Sequence, residues 1–576
     1  MRLKMTKNHF IGTGLINVGL VNTGLSSAWL SIAWLRNTVH IKPKVIRNVI
    51  ISLSITLSYL LSTQLAVAEQ ALIEDKVDKA LKAKPVNIVF IMADDLNDFI
   101  GVMNSDIGVK TPNIDRLAQR STLFTNAHSN APICSPSRAS LFSGIYPHNS
   151  GQYAFGHWRK NEVLANSRTI MEQLSAHGYH SAGTGKLVHH LWRPAWDEFG
   201  IRPDYTPLAF NGKKVVQHPD IPSPYNTDIG PLDSTFVPLS KVPNVKATTN
   251  VPGYKGWYYG GFKKPFIYRN EQERDLLPDE MYADWTVNKI SEYERKKIKK
   301  PFFLSVGFIR PHTPLVVPDR FFKMYPLDGI ILPEFLDNDD SDTHFESIYA
   351  PKTSLGRKHY NTLVKSFADK ETALKTYYQA YLASVSFMDE QVGKILNALE
   401  ASAFKDNTIV VFTSDHGYHL GEKNNLFKNN LWERTTKVPL IVFDPRDSKK
   451  QTINAPVSLI DLYPTFMEYA GVSGDNRKNN KGKPLDGTSI KPLIDGHDSS
   501  ERFALTVVKL WGENGMKNFA IRSKNWRYIL YGNQKEELYH NKVDSKELTN
   551  LAGNENNAEI KSMLKKQLLL MTKNAK

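Results

Sequence analysis

Three stretches of the chain are apolar almost without a break, and each stops abruptly at polar residues. Val86–Ala93 runs into Asp94-Asp95, Phe302–Phe308 ends near Pro311-His312, and Thr408–Ser414 runs into Asp415-His416-Gly417. Continuous apolar character of this length predicts strands buried on both faces, as in a mostly parallel α/β sheet. Ligands of open α/β sheets gather at the carboxyl ends of the strands, so three ends carrying Asp and His point to one shared site. Helical patterns lie between the runs, at 113–121, 169–177 and 370–401, the last clearly amphipathic. Residues 205–280 are rich in Pro, Gly, Tyr and Trp with little periodicity, which predicts a long irregular insertion shaping a cleft. Past residue 446 the pattern changes. Phe519–Arg522 and Trp526–Tyr531 alternate around turn residues, predicting a small antiparallel sheet, and a polar helix near 556–572 follows.

The amino-terminal pattern is of another kind. Val49–Leu61 (VIISLSITLSYLL) is too short and too rich in hydroxyls for a membrane span; it follows Lys42, Lys44 and Arg47 and precedes Ala66-Val67-Ala68. That is the layout of a secretory signal peptide with a small-residue cleavage site, here with an unusually long basic region. The expected organisation is a signal peptide at 1–68, a leader at 69–85, a catalytic domain at 86–445 and a C-terminal subdomain at 446–576. It implies export to the periplasm or the medium, with no membrane span left after cleavage.

One cysteine in 576 residues excludes an intramolecular disulfide, a cysteine-based zinc site and an iron–sulfur cluster. A hard metal ion is the inorganic support left open. The formal net charge is +15, but residues 1–68 hold seven Lys and Arg and no acid. The remainder carries 66 basic and 58 acidic side chains, a balance of +8, enough to steer a polyanion. No basic–aromatic array or finger motif marks a nucleic-acid binder. A sulfated or carboxylated polysaccharide suits an exported chain better.

Asp94 and Asp95 are adjacent carboxylates directly after a buried strand; they repel each other and resist desolvation, which a hard cation relieves. Asp415 and His416, from a second strand end, would complete an oxygen-rich site suited to Ca²⁺, with Mg²⁺ the less favoured ion. The lone Cys134 opens Cys134-Ser135-Pro136-Ser137-Arg138. Taken singly it is a small buried hydrophobe or, beside Arg138, a thiolate nucleophile.

The run CSPSRASLFSG, with NIVFIMADDL upstream, resembles the formylglycine-dependent (type I) sulfatases. The resemblance spans roughly 86–555 and includes TPNIDRLA (111–118), TGKLVHH (184–190), PHTPL (311–315), SDHGYHLGE (414–422) and ELYHNKVDSKELTNLAG (537–553). Within the family, the pairing of SDHG with GFIRPHTPL is most similar to iduronate-2-sulfatase and to bacterial polysaccharide sulfatases. Arylsulfatase-type members usually carry Asn at the position of His416.

The resemblance implies an alkaline-phosphatase-like α/β fold, with a large mixed, mostly parallel sheet flanked by helices and a smaller C-terminal antiparallel sheet. It implies that a formylglycine-generating or anaerobic sulfatase-maturating enzyme oxidises Cys134 to Cα-formylglycine, whose hydrate is the nucleophile. By the same resemblance, Asp94, Asp95, Asp415 and His416 hold Ca²⁺ together with modified Cys134. Arg138 steadies the hydrate, and Lys186 lies near the nucleophile and the sulfate. His189 contacts the hydrate, with neighbouring His190 an equal alternative. His312 and Lys428 contact the sulfate and the leaving oxygen, while Lys423 and Lys437 lie close enough in sequence to compete with Lys428.

The chemistry is self-consistent. A sulfate ester spreads negative charge over its sulfuryl oxygens, so the site needs a divalent cation with Lys, Arg and His donors around it. A geminal diol has an exit that Ser or Cys lacks: with one oxygen sulfated, deprotonating the other expels sulfate and restores the aldehyde. His312 is then the general acid to the leaving alcohol and His189 the base for elimination. The expected function is a sulfuric ester hydrolase acting on a sulfated carbohydrate, an algal polysaccharide or a glycosaminoglycan, for instance one containing uronate. The rivals are a phosphonate or phosphate monoester hydrolase on the same fold and an inactive glycan-binding homologue. Subsidiary candidates are the aromatic run Gly256–Gly261, stacking on sugars, His157-Trp158-Arg159, lining the cleft, and Arg310, gripping a carboxylate or second sulfate.

Overall fold

The computed structural model describes residues 62–63 and 85–573, apart from 104, 335–337, 351, 448 and 511–514. The segments read as signal peptide and leader lie outside the described residues, except for 62, 63 and 85. Among the described residues, no helix is long and apolar enough to cross a membrane.

A large sheet forms the centre. Its strands are β1 (Asn87–Asp94), β2 (Thr122–His128), β3 (His180–Gly185), β4 (Glu198–Phe199), β5 (Phe302–Pro311), β6 (Thr408–Ser414), β7 (Lys437–Phe443), β8 (Gln451–Ile453) and β9 (Val457–Ser458). The order across it is β8-β2-β7-β6-β1-β5-β3-β4, with β9 also paired to β2. β1 runs parallel to β5 and β6, β5 to β3, and β3 to β4, while β7 is antiparallel to both its neighbours. This is the mixed, mostly parallel sheet that the three apolar runs predict.

Those runs are apolar throughout because both faces of the sheet are covered. In β1, Val89, Ile91 and Ala93 enter one core, while Ile88, Phe90 and Met92 enter the other. The helices include α1 (Pro112–Ala118), α2 (Cys134–Ser143), α3 (Ile170–Ala176), α4 (Pro278–Arg295), α5 (Lys370–Ala401), α6 (Leu462–Ala470) and α7 (Ala558–Met571). α4 and α5 cover the first face, and α2, α3 and α6 the second. α5 keeps its predicted bounds because Asp369 caps it, accepting from the amide of Thr372. α3 opens with a reciprocal Thr169–Glu172 capping box. α1 stops three residues short of its predicted end, where the Ser121 hydroxyl bonds back to the Leu117 carbonyl.

The 205–280 insertion is less irregular than its sequence predicts. Lys264–Phe266, Trp257–Tyr259, Leu208–Phe210 and Val215–Val216 form a four-stranded antiparallel sheet, whose strands are too short to display an alternation. Trp257 and Tyr259 point into the core, and Tyr258 stacks on Phe210 at 4.0 Å. The sugar-stacking reading of this run is thereby corrected for Trp257 and Tyr259: their faces are spent on packing.

The large sheet continues past residue 445 to Ser458. A second sheet then forms from β10 (Ala504–Lys509), β11 (Lys517–Arg522), β12 (Arg527–Leu530) and β13 (Glu536–Tyr539), paired consecutively and antiparallel. α7 packs against it through Leu564 and Leu568.

Candidate active site

The register of the large sheet brings the acidic strand ends together. Ala93 of β1 lies opposite Ser414 of β6, so Asp94-Asp95 and Asp415-His416 leave the sheet side by side. Asp95 adopts a left-handed backbone (φ 65°), an uncommon conformation outside glycine that recurs at functional sites. Cys134 is the first residue of α2, at the positive end of the helix. Pro136 is tolerated there because the first turn needs no intrahelical N–H donor. Lys186 follows β3, where β3 and β5 approach closely: a Cβ on Gly307 would stand 2.0 Å from the Lys186 carbonyl oxygen.

The side chains converge on Cys134. Ligand atoms of Asp94, Asp95, Cys134 and His416 all lie within 4.8 Å of one another, fully buried. His416 Nε2 and Lys428 Nζ each stand 3.3 Å from Cys134 Sγ, and Lys428 Nζ is 2.6 Å from Asp95 Oδ1. Lys186 Nζ pairs with Asp94 Oδ2. Arg138 Nε donates to Asp415 Oδ2 at 2.8 Å, while its terminal nitrogens reach the carbonyls of Lys186 and Leu187 and, at 3.4 Å, Asp94 Oδ1. His312 Nε2 faces Asp95 Oδ2 at 3.9 Å, and its Nδ1 bonds the Thr313 carbonyl at 2.7 Å.

The electrostatics show what this arrangement lacks. Burial raises the Asp94 carboxyl, but Lys186, His312, Arg138 and Lys428 outweigh it and hold the group well below the ordinary range. Burial pushes Asp95 up to about 8, helped by Asp94 and Asp415 and only partly offset by Lys428. Asp415 is pushed up to about 6 by burial, against Arg138. Asp94 Oδ1 and Asp95 Oδ2 are buried and accept no hydrogen bond from the described residues. Two orphaned carboxylate oxygens beside a thiol and an imidazole make a donor set that a divalent cation fits. Burial and Asp94 push the Cys134 thiol up to about 12, so the unmodified sulfur is a poor nucleophile.

The structure separates alternatives that the sequence leaves open. Lys428 is the lysine at the cluster; Lys423 is held by Asp339 and the Glu547 carbonyl, and Lys437 pairs with Asp98. His189 feels the charges of Lys186, Asp94 and Arg138 and, buried, is depressed to about 3; His190 is perturbed by its own burial and His157. Neither histidine hydrogen-bonds to Cys134. Asp415 lies beside the four-atom cluster, its Oδ1 accepting the amides of Asp95 and His416.

Two subsidiary candidates are corrected. Arg310 is buried, and its terminal nitrogens donate to the carbonyls of Thr206, Val316 and His312, with Nε alone left without a partner among the described residues. Trp158 is buried too, donating to the His190 carbonyl. Other neighbours escaped sequence reasoning. Ser129 and Ser137 hydroxyls both hold the Asp415 carbonyl, at 2.7 and 2.6 Å. Tyr205 lies with its ring 5.1 Å from that of His312 and 4.7 Å from Lys186 Nζ. Ser137 stands inside the cysteine motif and was open to notice; Tyr205 sits in an aperiodic stretch with no signal.

The family described as "Sulfatase" matches residues 86–472, and "N-sulphoglucosamine sulphohydrolase, C-terminal" matches 421–574. A sulfatase of Formosa agariphila is 32% identical over 512 residues, covering 88% of this chain and 89% of that protein. Human iduronate 2-sulfatase is 29% identical over 423 residues, covering 67% and 69%. Among solved structures, a phosphonate monoester hydrolase of Silicibacter pomeroyi superposes with a TM-score of 0.63 at 18% identity, covering 85% of this chain and 96% of its own. A protein solved in complex with its substrate D-glucosamine-2-N,6-O-disulfate gives 0.58 at 21%, covering 85% and 98%. At these identities the structural likeness speaks to the fold alone.

Proposed function

The chain belongs to the sulfatase family of sulfuric ester hydrolases, and from that premise we propose that it desulfates a sugar residue of a polysaccharide or oligosaccharide, using a formylglycine made from Cys134 and a bound Ca²⁺. The observation that carries this reading is the convergence of Lys186, Arg138 and Lys428 on one buried cysteine among carboxylates with unsatisfied oxygens. Relatives named for iduronate sulfate and a neighbour bound to a disulfated glucosamine support a glycan substrate.

Asp94, Asp95, Asp415 and His416, with residue 134, would hold the cation. When present, the hydrated formylglycine supplies an oxygen nucleophile and the calcium ion neutralises sulfuryl charge. The chain's own groups do the rest. Lys186 and Lys428 bind sulfuryl oxygens from two sides. Arg138, fixed by two backbone carbonyls and Asp415, holds residue 134 in line. His312 donates through Nδ1 to Thr313, which leaves Nε2 facing the site. Burial and Lys428 keep its imidazole well below the ordinary range, hence neutral, until an anionic sulfate favours the imidazolium. Nε2 then protonates the departing alkoxide. His189, kept neutral by burial, would be the base that takes up a proton at residue 134.

We also propose export: the run Val49–Leu61 before Ala66-Val67-Ala68 supports cleavage near residue 68, which N-terminal sequencing of the mature protein tests. The function is tested by measuring sulfate release from glycosaminoglycan and algal polysaccharide fragments, with phosphate and phosphonate monoesters as controls. Mass spectrometry of the peptide bearing residue 134 accompanies the assay. Active protein that retains an ordinary thiol there sinks the mechanism.

A further inference from the structure

The 205–280 insertion meets the turn that follows β5, where His312 stands. The Leu315 amide donates to the Thr235 carbonyl at 2.8 Å and the Leu239 amide to that of Val317 at 3.0 Å, so residues 235–239 run beside 315–317. Just ahead of this pairing a turn presents Asp233. The Ser234 amide donates to the Gly230 carbonyl and the Thr235 hydroxyl to that of Pro231, both at 2.9 Å, and Ser234 and Thr235 are fully buried. Asp233 is thus fixed on a braced turn and aimed at the 311–315 motif.

What it meets there is a hydroxyl. Asp233 Oδ1 accepts the Thr313 hydroxyl at 2.7 Å, and the same hydroxyl oxygen lies 3.4 Å from His312 Nδ1. A hydroxyl has one proton. With it spent on Asp233, the Thr313 oxygen turns a lone pair toward the imidazole, beside the Thr313 carbonyl that accepts from Nδ1 at 2.7 Å. Both groups at Nδ1 are therefore acceptors, so Nδ1 carries a proton and Nε2 faces the site. The ring of Tyr205, 5.1 Å away, closes one face of the imidazole. The backbone has other supports: Asp279 accepts the amides of Ile309 and Arg310 at 2.7 and 2.9 Å, and the His312 amide donates to the Ile309 carbonyl at 2.8 Å. What the Asp233 contact decides is the direction of a buried hydroxyl. Without it the Thr313 proton is free to swing toward Nδ1, which favours the imidazole with its proton on Nε2 instead. An acid that gives its Nε2 proton to the leaving oxygen ends with Nδ1–H, the form that two acceptors at Nδ1 stabilise.

We propose that Asp233 is a positioning residue for the candidate general acid: through the Thr313 hydroxyl it keeps one proton of His312 on Nδ1 and aims Nε2 at the leaving oxygen. As the sulfur–oxygen bond breaks, the Nε2–H bond breaks with it, the O–H bond of the product alcohol forms, and Nδ1 keeps its proton throughout. The inference rests on the sulfatase reading above and adds a supporting pair, Asp233 and Thr313, to its acid.

The test uses matured enzyme and leaving groups of rising basicity: 4-nitrophenyl sulfate, whose phenolate departs with little help from a proton, 4-methoxyphenyl sulfate, which needs more, and a sulfated saccharide, which needs most. For Asp233→Ala and Thr313→Val, kcat should fall about tenfold further on the 4-methoxyphenyl ester than on the 4-nitrophenyl ester, and about 10²-fold further on the saccharide. Thr313→Ser, which keeps the hydroxyl, should hold close to the wild-type ratios. Combining Asp233→Ala with Thr313→Val should lower kcat on the saccharide no further than either alone, since the two groups act as one unit. Should Asp233→Ala fail to fold, Thr313→Val against Thr313→Ser carries the comparison, because the first keeps the shape of the side chain and removes only its hydroxyl. A loss equal across the series, no loss at all, or a Thr313→Ser variant as impaired as Thr313→Val overturns the positioning role while leaving the sulfatase reading intact. Absence of sulfate release by wild-type enzyme from every probe overturns the reading beneath it.

Discussion

The helix that carries Cys134 and Arg138 and the loop that carries Lys428 meet at one sulfur atom, yet they are held by opposite means. α2 is secured against the large sheet. Leu141 and Phe142 sink into the sheet core, Gly144 closes the helix in a left-handed turn (φ 68°), and Arg138 reaches strand ends directly beneath it. The 422–436 loop has little regular structure of its own. Its ladder is the two residue pairs joining His419-Leu420 to Leu426-Phe427, and Lys423, Asn424, Phe427 and Asn429 all have positive φ. Such backbone persists only where surroundings over-determine it. Here they come from the C-terminal sheet. Arg527 donates to the Leu431 carbonyl and the Thr436 hydroxyl and pairs with Glu433 and Glu547, while Trp432 Nε1 donates to Glu537 at 2.8 Å. The candidate nucleophile's place is thus decided by its helix against the large sheet, and that of the candidate sulfate-binding lysine by the small sheet a hundred positions later. The small sheet thereby supports one side of the candidate active site.

The largest expected effect severs the helix side. Cys134→Ala should lower sulfate release by about 10⁴-fold or more, with the unfolding midpoint in urea changing little. A variant that retains activity would refute the assignment of residue 134.

Next comes the distant side. Arg527→Met leaves Glu547 buried without its cation, and Glu433 with Arg522 alone, and should cost about 3–5 kcal/mol in denaturant unfolding. Sulfate release should fall with it, while peptide mass spectrometry finds residue 134 oxidised as in wild type. Full kcat in the folded variant would erase the contrast between helix and loop.

The proposed cation would join the two sides, because Asp95 touches Lys428 and neighbours Cys134. A carboxyl raised to about 8 in the fold and near 3.8 when unfolded holds its proton preferentially in the native state. Its contribution without metal is complete below about pH 4 and disappears as pH rises through about 8. Ca²⁺ should therefore raise the melting temperature more at pH 8 than at pH 6 and release protons on binding, measurable by calorimetry in buffers of different ionisation heat. Equal stabilisation at both pH values would count against Asp95 as a ligand.

The smallest effect lies at the outer edge of the C-terminal sheet. Lys565, Tyr528 and Lys561 outweigh burial and hold Glu536 at about 2. That contribution is present above about pH 4.5 and is lost as pH falls toward 2. The pair is largely solvated, so Glu536→Gln should cost less than about 1 kcal/mol and leave activity untouched. A large loss of activity would mean that α7, too, supports the loop.

Much of this architecture was legible in the sequence because the large sheet is buried on both faces, which leaves unbroken apolar runs at β1, β5 and β6. The groups at strand ends, Asp94, Asp95, Asp415 and His416, were readable for the same reason: a carboxylate after a buried strand has few places to go. Lys428 was harder. Three lysines of 423–437 suit the motif equally, and only contacts with β12, β13 and Asp339 decide which one faces the sulfur. Trp257 and Tyr259 misled, since aromatic residues look alike whether they meet a sugar or a core. Tyr205 and Ser129 acquire meaning from partners distant in sequence and advertise nothing locally.

One consequence of burial concerns timing. Cys134 is 2% exposed and Arg138 0%, with Pro136 buried between them. An enzyme that reads Cys, Pro and Arg along an extended peptide has no access to them once α2 has formed and docked. The proposed oxidation is therefore a race against folding, whose finish line is the closing of the large sheet. A chain that folds first is sealed in its thiol form, so a culture short of modifying enzyme should accumulate stable, soluble, inactive protein rather than degraded protein. The fraction of active molecules becomes a record of how quickly each chain was met during synthesis.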